Sequence, residues 1–86
     1  MLYRILTEDI NQEQVQKIVD SYYQGYTMYK AQGFWKGIKE NSLIVEIISE
    51  AQNELDNVRA LASKIKDYNH QEAVLVETIA NHSEFI

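Results

Sequence analysis

The residues best suited to chemistry crowd into one stretch. Between Ser21 and Lys39 stand Lys30, Lys36 and Lys39 and no acidic residue, although the formal net charge of the chain is -5. The same stretch holds Tyr22, Tyr23, Tyr26, Tyr29, Phe34 and Trp35. A lysine supplies a point charge for phosphate, and an aromatic face stacks on a base. Gly33 and Gly37 let backbone amides approach a ligand closely. Asn41 and Ser42 add hydrogen-bonding groups beside them. The expected ligand-binding set is Lys30, Gly33, Trp35, Lys36, Gly37, Lys39 and Ser42, and the expected ligand is a small anion such as a nucleotide. The plainer reading is that strand aromatics pack a core and that lysines beside a turn are solvated.

Other constellations are thinner. His70 stands near Asp67 and Glu72, and a histidine with a carboxylate can act as a general base. Polar residues are expected at a helix-to-strand turn in any case. His82, Glu84 and Glu77 imitate a metal set, but on a terminal tail, and no metal is expected. Glu8, Asp9 and Asn11 read as turn and capping groups rather than as acid or base. There is no nucleotide-hydrolase glycine loop and no dinucleotide fingerprint, so no cofactor is expected. No residue pair demands catalysis, which leaves the question of an enzyme open. The absence of cysteine removes disulfides and thiolate chemistry and fits a reducing compartment.

Those side chains must be positioned by a small framework. A chain of 86 residues makes one domain, residues 1–86. A domain of that size buries a modest core, which raises the expectation of a homo-oligomer. Its negative charge argues against nucleic acid as a partner. The opening Met1–Leu6 has one basic residue before Glu8 and Asp9, unlike a secretory signal. No apolar run approaches membrane-spanning length, so no membrane partner and a cytoplasmic location are expected.

The pattern predicts a first strand over Leu2–Thr7, apolar enough to be central. Asn11 with Gln14 forms a capping-box pattern, followed by a stripe of Val15, Ile18, Val19 and Tyr22. Gly25 is expected to end that helix. Tyr26–Trp35 reads as a second strand, with a bulge or close approach at Gly33. A turn over 36–41 leads to a third strand, Ser42–Ile48, completing a hairpin. Ser49 with Gln52 gives a second capping pattern. Leu55, Val58, Leu61, Ala62 and Ile65 mark a helix ending near Tyr68. The fourth strand is expected over Glu72–Ile79, and the tail Ala80–Ile86 is open to forming a short edge strand, paired within the protomer or with a neighbour.

The order βαββαβ makes an α+β ferredoxin-like sandwich, with two helices on one face of a four-stranded antiparallel sheet. In the third strand Leu43, Val45 and Ile47 oppose Ile44 and Ile48. In the fourth, Val74 and Val76 oppose Ala73 and Leu75. The second sheet face is therefore more apolar than a solvated face should be, and packing between subunits would cover it.

Gly33-Phe34-Trp35-Lys36-Gly37, the Glu40-Asn41-Ser42-Leu43 segment and the strand Gln71-Glu72-Ala73-Val74-Leu75-Val76 together carry a resemblance. The layout resembles the PII-like and CutA-like superfamily of small trimeric proteins over Tyr3 to Ile79. The resemblance implies a trimer whose sheets line a central core, and a ligand at an inter-subunit cleft. Two departures limit it. The connection over 36–41 is too short for the effector loop of PII-type proteins. The cysteine and histidine motif of CutA-type proteins is missing, with His70 only loosely in its place. The alternative function is a non-catalytic interaction protein that binds or blocks a protein partner, since tyrosine-rich surfaces suit interfaces.

Overall fold

In β1, Leu2–Glu8, alternate side chains are buried, and this period-two pattern is what a sheet covered by helices on one side imposes. The computed structural model describes Met1–Ile86. It continues with α1 (Gln12–Asp20), β2 (Thr27–Trp35), β3 (Ile38–Ile48), α2 (Glu54–Asn69) and β4 (Leu75–Ile79). The strands form one antiparallel sheet in the order β2-β3-β1-β4, with both helices on one face. This is the ferredoxin-like βαββαβ sandwich.

Tyr3, Ile5 and Thr7 of β1 stand opposite Ile47, Val45 and Leu43 of β3. All of these but Thr7, together with Val15 and Val19 of α1 and Val58, Leu61, Ala62 and Ile65 of α2, make the hydrophobic core. Nine of these side chains are fully buried. Each contributes about 1.5–3 kcal/mol relative to exposure.

Several element boundaries differ from the sequence expectation. The hairpin turn is only Lys36-Gly37, and β3 starts at Ile38 instead of Ser42. Both turn residues have positive φ, 50° at Lys36 and 77° at Gly37. That backbone matches the twist of the flanking strands, so pairing continues to Trp35↔Ile38. Gly33 forms no bulge: it pairs in register with Glu40. Helix α1 stops at Asp20, before Gly25, because Ser21 closes it. The Ser21 hydroxyl donates to the Ile18 carbonyl at 2.6 Å, and its N–H meets the Lys17 and Ile18 carbonyls.

The capping residues also behave differently. Asn11 precedes α1 but takes a left-handed conformation and makes no side-chain cap bond. Its amide is used across the fold instead. At α2 the preceding residue is Asn53, not Ser49, again left-handed. The Ser49 hydroxyl accepts from the Ala51 N–H, a local turn. Strand β4 begins at Leu75, later than Glu72, because residues 71–74 cross from the end of α2 to the sheet edge. The tail Ala80–Ile86 takes no strand, and Phe85 and Ile86 are fully exposed. No helix is long and apolar enough to cross a membrane.

Candidate functional site

Antiparallel pairing brings three chain segments to one end of the sheet. The end of β1 lies beside the start of β4 through Leu6↔Leu75 and beside β3 through Glu8↔Ser42. The Asp9 N–H donates to the Asn41 carbonyl at 3.2 Å, fixing the start of the β1–α1 connection. A cleft of about 680 Å³ opens there, with Thr7, Glu8, Asp9, Ser42, Gln71 and Leu75 among its walls.

Thr7 and Gln71 of its lining belong to a chain of side-chain hydrogen bonds that runs back to Asn69 and Asn11. The Asn11 amide Nδ2 donates to Asn69 Oδ1 at 3.1 Å. Asn69 Nδ2 donates to Gln71 Oε1 at 2.9 Å, and the Thr7 hydroxyl donates to the same oxygen. Gln71 Nε2 reaches the Ala73 carbonyl at 3.3 Å. Thr7 is 4 % exposed and Asn69 8 %, so both are buried polar groups with their partners supplied. The left-handed Asn11 and His70 (φ 53° and 55°) let the chain turn sharply enough to bring Asn11, Asn69 and Gln71 together.

The cleft is acidic. Glu8, Asp9 and Glu40 line it. One lysine comes near: Lys30 Nζ lies 3.6 Å from Asp9 Oδ2, the lysine exposed and the aspartate half-buried. The seven residues expected to form a ligand site are divided. Strand alternation puts Gly33, Trp35 and Ser42 on the open sheet face and Lys30 and Lys39 on the helix side. Lys36 and Gly37 occupy the turn. Ser42 alone of the seven lines the large cleft, and Lys30 lines a smaller one with Asp9, Gln32 and Asn41. Phe34, Trp35 and Ile38 at the hairpin tip are more than half exposed, and Lys36 Nζ sits 5.7 Å from the centre of the Trp35 ring.

Thr7, Asn69 and Gln71 carry no signature in the sequence, because the bonds that join them to the site span up to 64 residues. The one legible trait is the clustering of polar residues at the turn that holds Asn69 and Gln71. His70 is exposed, its N–H bonds the Asp67 carbonyl, and its side chain pairs with neither Asp67 nor Glu72. His82 lies 3.7 Å from Glu84 on the exposed tail, and nowhere do three ligand-type side chains converge for a metal.

The open sheet face adjoins the cleft. Leu2, Leu6, Ile44, Ile48, Leu75, Ile79, Tyr29, Trp35 and Ile38 share it. Across its middle runs a polar row, Glu46–Arg4–Glu77, in register over β3, β1 and β4. Arg4 Nε donates to Glu46 Oε2 at 2.9 Å, and Arg4 Nη1 lies 3.7 Å from Glu77 Oε1. The hydrogen bond to Glu46, with the nearby charge of both glutamates, raises the pKa of Arg4 further above its ordinary value, so it stays charged.

No protein-family model matches the sequence, and no curated protein does. Solved structures match its fold. A phage SAM lyase in complex with S-methyl-5′-thioadenosine superposes with a TM-score of 0.64 at 17 % identity, over 87 % of this chain and 76 % of that one. CPII, a nitrogen regulatory PII-like protein from Thiomonas intermedia K12 bound to ADP, AMP and bicarbonate, gives 0.59 at 17 %, over 98 % and 93 %. CutA from Synechococcus elongatus PCC7942, complexed with Bis-Tris, gives 0.57 at 10 %, over 91 % and 77 %. The chain thus shares its fold with the PII-like and CutA-like small ferredoxin-fold proteins.

Proposed function

We propose that this protein assembles with copies of itself through the open sheet face and binds a small adenosine-containing ligand, such as a nucleotide, in the cleft at the end of β1. One observation carries the reading. Leu6, Ser42 and Leu75 belong both to the cleft and to the open face, so a copy docked on that face adds a wall to the cleft. Ligand sites commonly occupy such junctions. Two proteins of the same fold hold adenosine compounds, S-methyl-5′-thioadenosine in one and ADP and AMP in the other. A trimer is the simplest assembly, as in the family the sequence resembles.

The charges are graded along the site. The cleft carries Glu8, Asp9 and Glu40, while Lys30, Lys36 and Lys39 lie on the β2–β3 hairpin beside it. A nucleotide therefore seats its uncharged nucleoside in the cleft and turns its phosphates toward the hairpin.

The three carboxylates favour a second reading, in which the ligand is a cationic adenosine compound such as SAM and the protein acts on it. Native mass spectrometry with SAM, S-methyl-5′-thioadenosine, AMP and ADP separates the two. The expected result is an oligomer retaining AMP or ADP on each subunit. Retention of SAM in preference to ADP supports the second reading, and a monomer retaining none of the four overturns both.

A further inference from the structure

We infer that Gln71 is the specificity-determining residue of this cleft, presenting one N–H to an uncharged acceptor atom of the ligand, a ring nitrogen of its base. The inference rests on the reading of the cleft as an adenosine site and goes beyond it by naming the atom pair that selects the ligand.

A carboxamide has two acceptor lone pairs and two N–H donors. Both lone pairs of Gln71 are taken, one by the Thr7 hydroxyl and one by Asn69 Nδ2 at 2.9 Å. One N–H is taken by the Ala73 carbonyl at 3.3 Å. The second N–H has no partner within the protein, and Gln71 lines the cleft. The carboxamide cannot simply rotate by half a turn. Its oxygen would then face the Ala73 carbonyl, and its NH2 would face the NH2 of Asn69. Asn69 is itself held the right way round, because its oxygen accepts from Asn11.

This arrangement supplies a donor whose direction is set before any ligand arrives, so little side-chain freedom is lost on binding. The other groups define what it can meet. Glu8, Asp9 and Glu40 repel an anionic acceptor, which leaves neutral acceptors. The base of a nucleoside offers these as ring nitrogens, whereas its phosphates belong at the lysines of the hairpin.

Gln71→Glu is the sharpest test. A carboxylate at this position still accepts from Thr7 and Asn69, but the donor is lost and the second oxygen must turn away from the Ala73 carbonyl. Adenosine and its 1-deaza, 3-deaza and 7-deaza analogues serve as probes in titration calorimetry. Wild-type protein is expected to lose about tenfold in affinity for the one analogue that lacks the contacted nitrogen, the scale of one hydrogen bond. Gln71→Glu is expected to bind adenosine about tenfold more weakly and to lose the discrimination among the analogues. Thr7→Val, which releases one of the two bonds on the carboxamide oxygen, is expected to weaken adenosine by a smaller factor and carries the test if Gln71→Glu does not fold. Adenosine affinity unchanged in Gln71→Glu, or in Thr7→Val where that variant stands in, overturns the inference alone. So does a loss that is equal for adenosine and all three analogues. Wild-type protein that binds no adenosine compound overturns the inference together with the proposed function.

Discussion

Tyr23 carries its hydroxyl into the protein without a hydrogen-bond partner. Burial, and then the nearby Glu54 carboxylate, which the hydroxyl approaches without completing a hydrogen bond of full geometry, push its pKa up to about 12. Tyr26, whose hydroxyl donates to Asp20 Oδ1 at 2.6 Å, is also raised to about 12, by burial first and that bond second. In the unfolded chain a phenol titrates near 10. Above that pH the unfolded state loses its proton before the folded state does, so folding stability declines as pH rises toward about 12. Urea unfolding followed across this range is expected to show the decline in the wild type and a shallower one in Tyr23→Phe. At neutral pH the same variant should be as stable as the wild type or more so, since it removes an unpartnered hydroxyl. An undiminished alkaline decline in Tyr23→Phe would assign it to other groups. At this scale the sequence was legible where the chemistry was contiguous. The lysines and aromatics of the hairpin stood out as neighbours. Thr7, Asn69 and Gln71 did not, because a polar residue in a strand or at a turn looks the same whether it faces water or a partner 64 residues away.

The β2–β3 hairpin shows how an element departs from its sequence pattern. Polar Lys39, Glu40 and Asn41 suggested a wide turn, yet all three lie in β3. The two-residue turn was obscured because Lys36, not asparagine or glycine, holds its first left-handed position. Gly37→Ala is expected to cost about 1 kcal/mol, the strain of a side chain in the left-handed region. Lys36→Asn is expected to shift stability in the opposite direction, less any contribution from the ammonium lying over Trp35. Thermal unfolding of both variants checks this pair, and equal effects of the same sign would contradict the turn geometry. Helix α2 and the strands β1 and β3 were legible because their apolar spacing alone fixes which face is buried. The start of β1 at Leu2 and the end of β3 at Ile48 were legible too, whereas the end of α1 and the start of α2 were not, since those depend on Ser21 and Asn53 meeting backbone groups.

At the scale of the whole molecule, the open sheet face decides whether the protein works alone. Ile48 is 59 % exposed and Leu75 55 %. Both lie beside Leu2, Leu6 and Ile79 on a face that no helix covers. The Glu46–Arg4–Glu77 row pairs its charges within one subunit, so a second copy would meet a polar stripe between two apolar bands. Ile48→Glu places a further negative charge there, away from the cleft. It is expected to shift the sedimentation profile from oligomer to monomer while leaving the circular dichroism spectrum unchanged. A wild-type monomer at the same concentration would rule out self-assembly through this face.

The sheet order has a consequence for biosynthesis. The N-terminal strand lies inside the sheet, between β3 and β4, its partners some 40 and 70 residues further along the chain. Of the four strands, the one made first is therefore the last to have both edges satisfied. Until β4 has emerged, Leu2–Glu8 offers a free edge to any other extended chain nearby. Of the four strands, β4 is the last to be made, and it closes that edge.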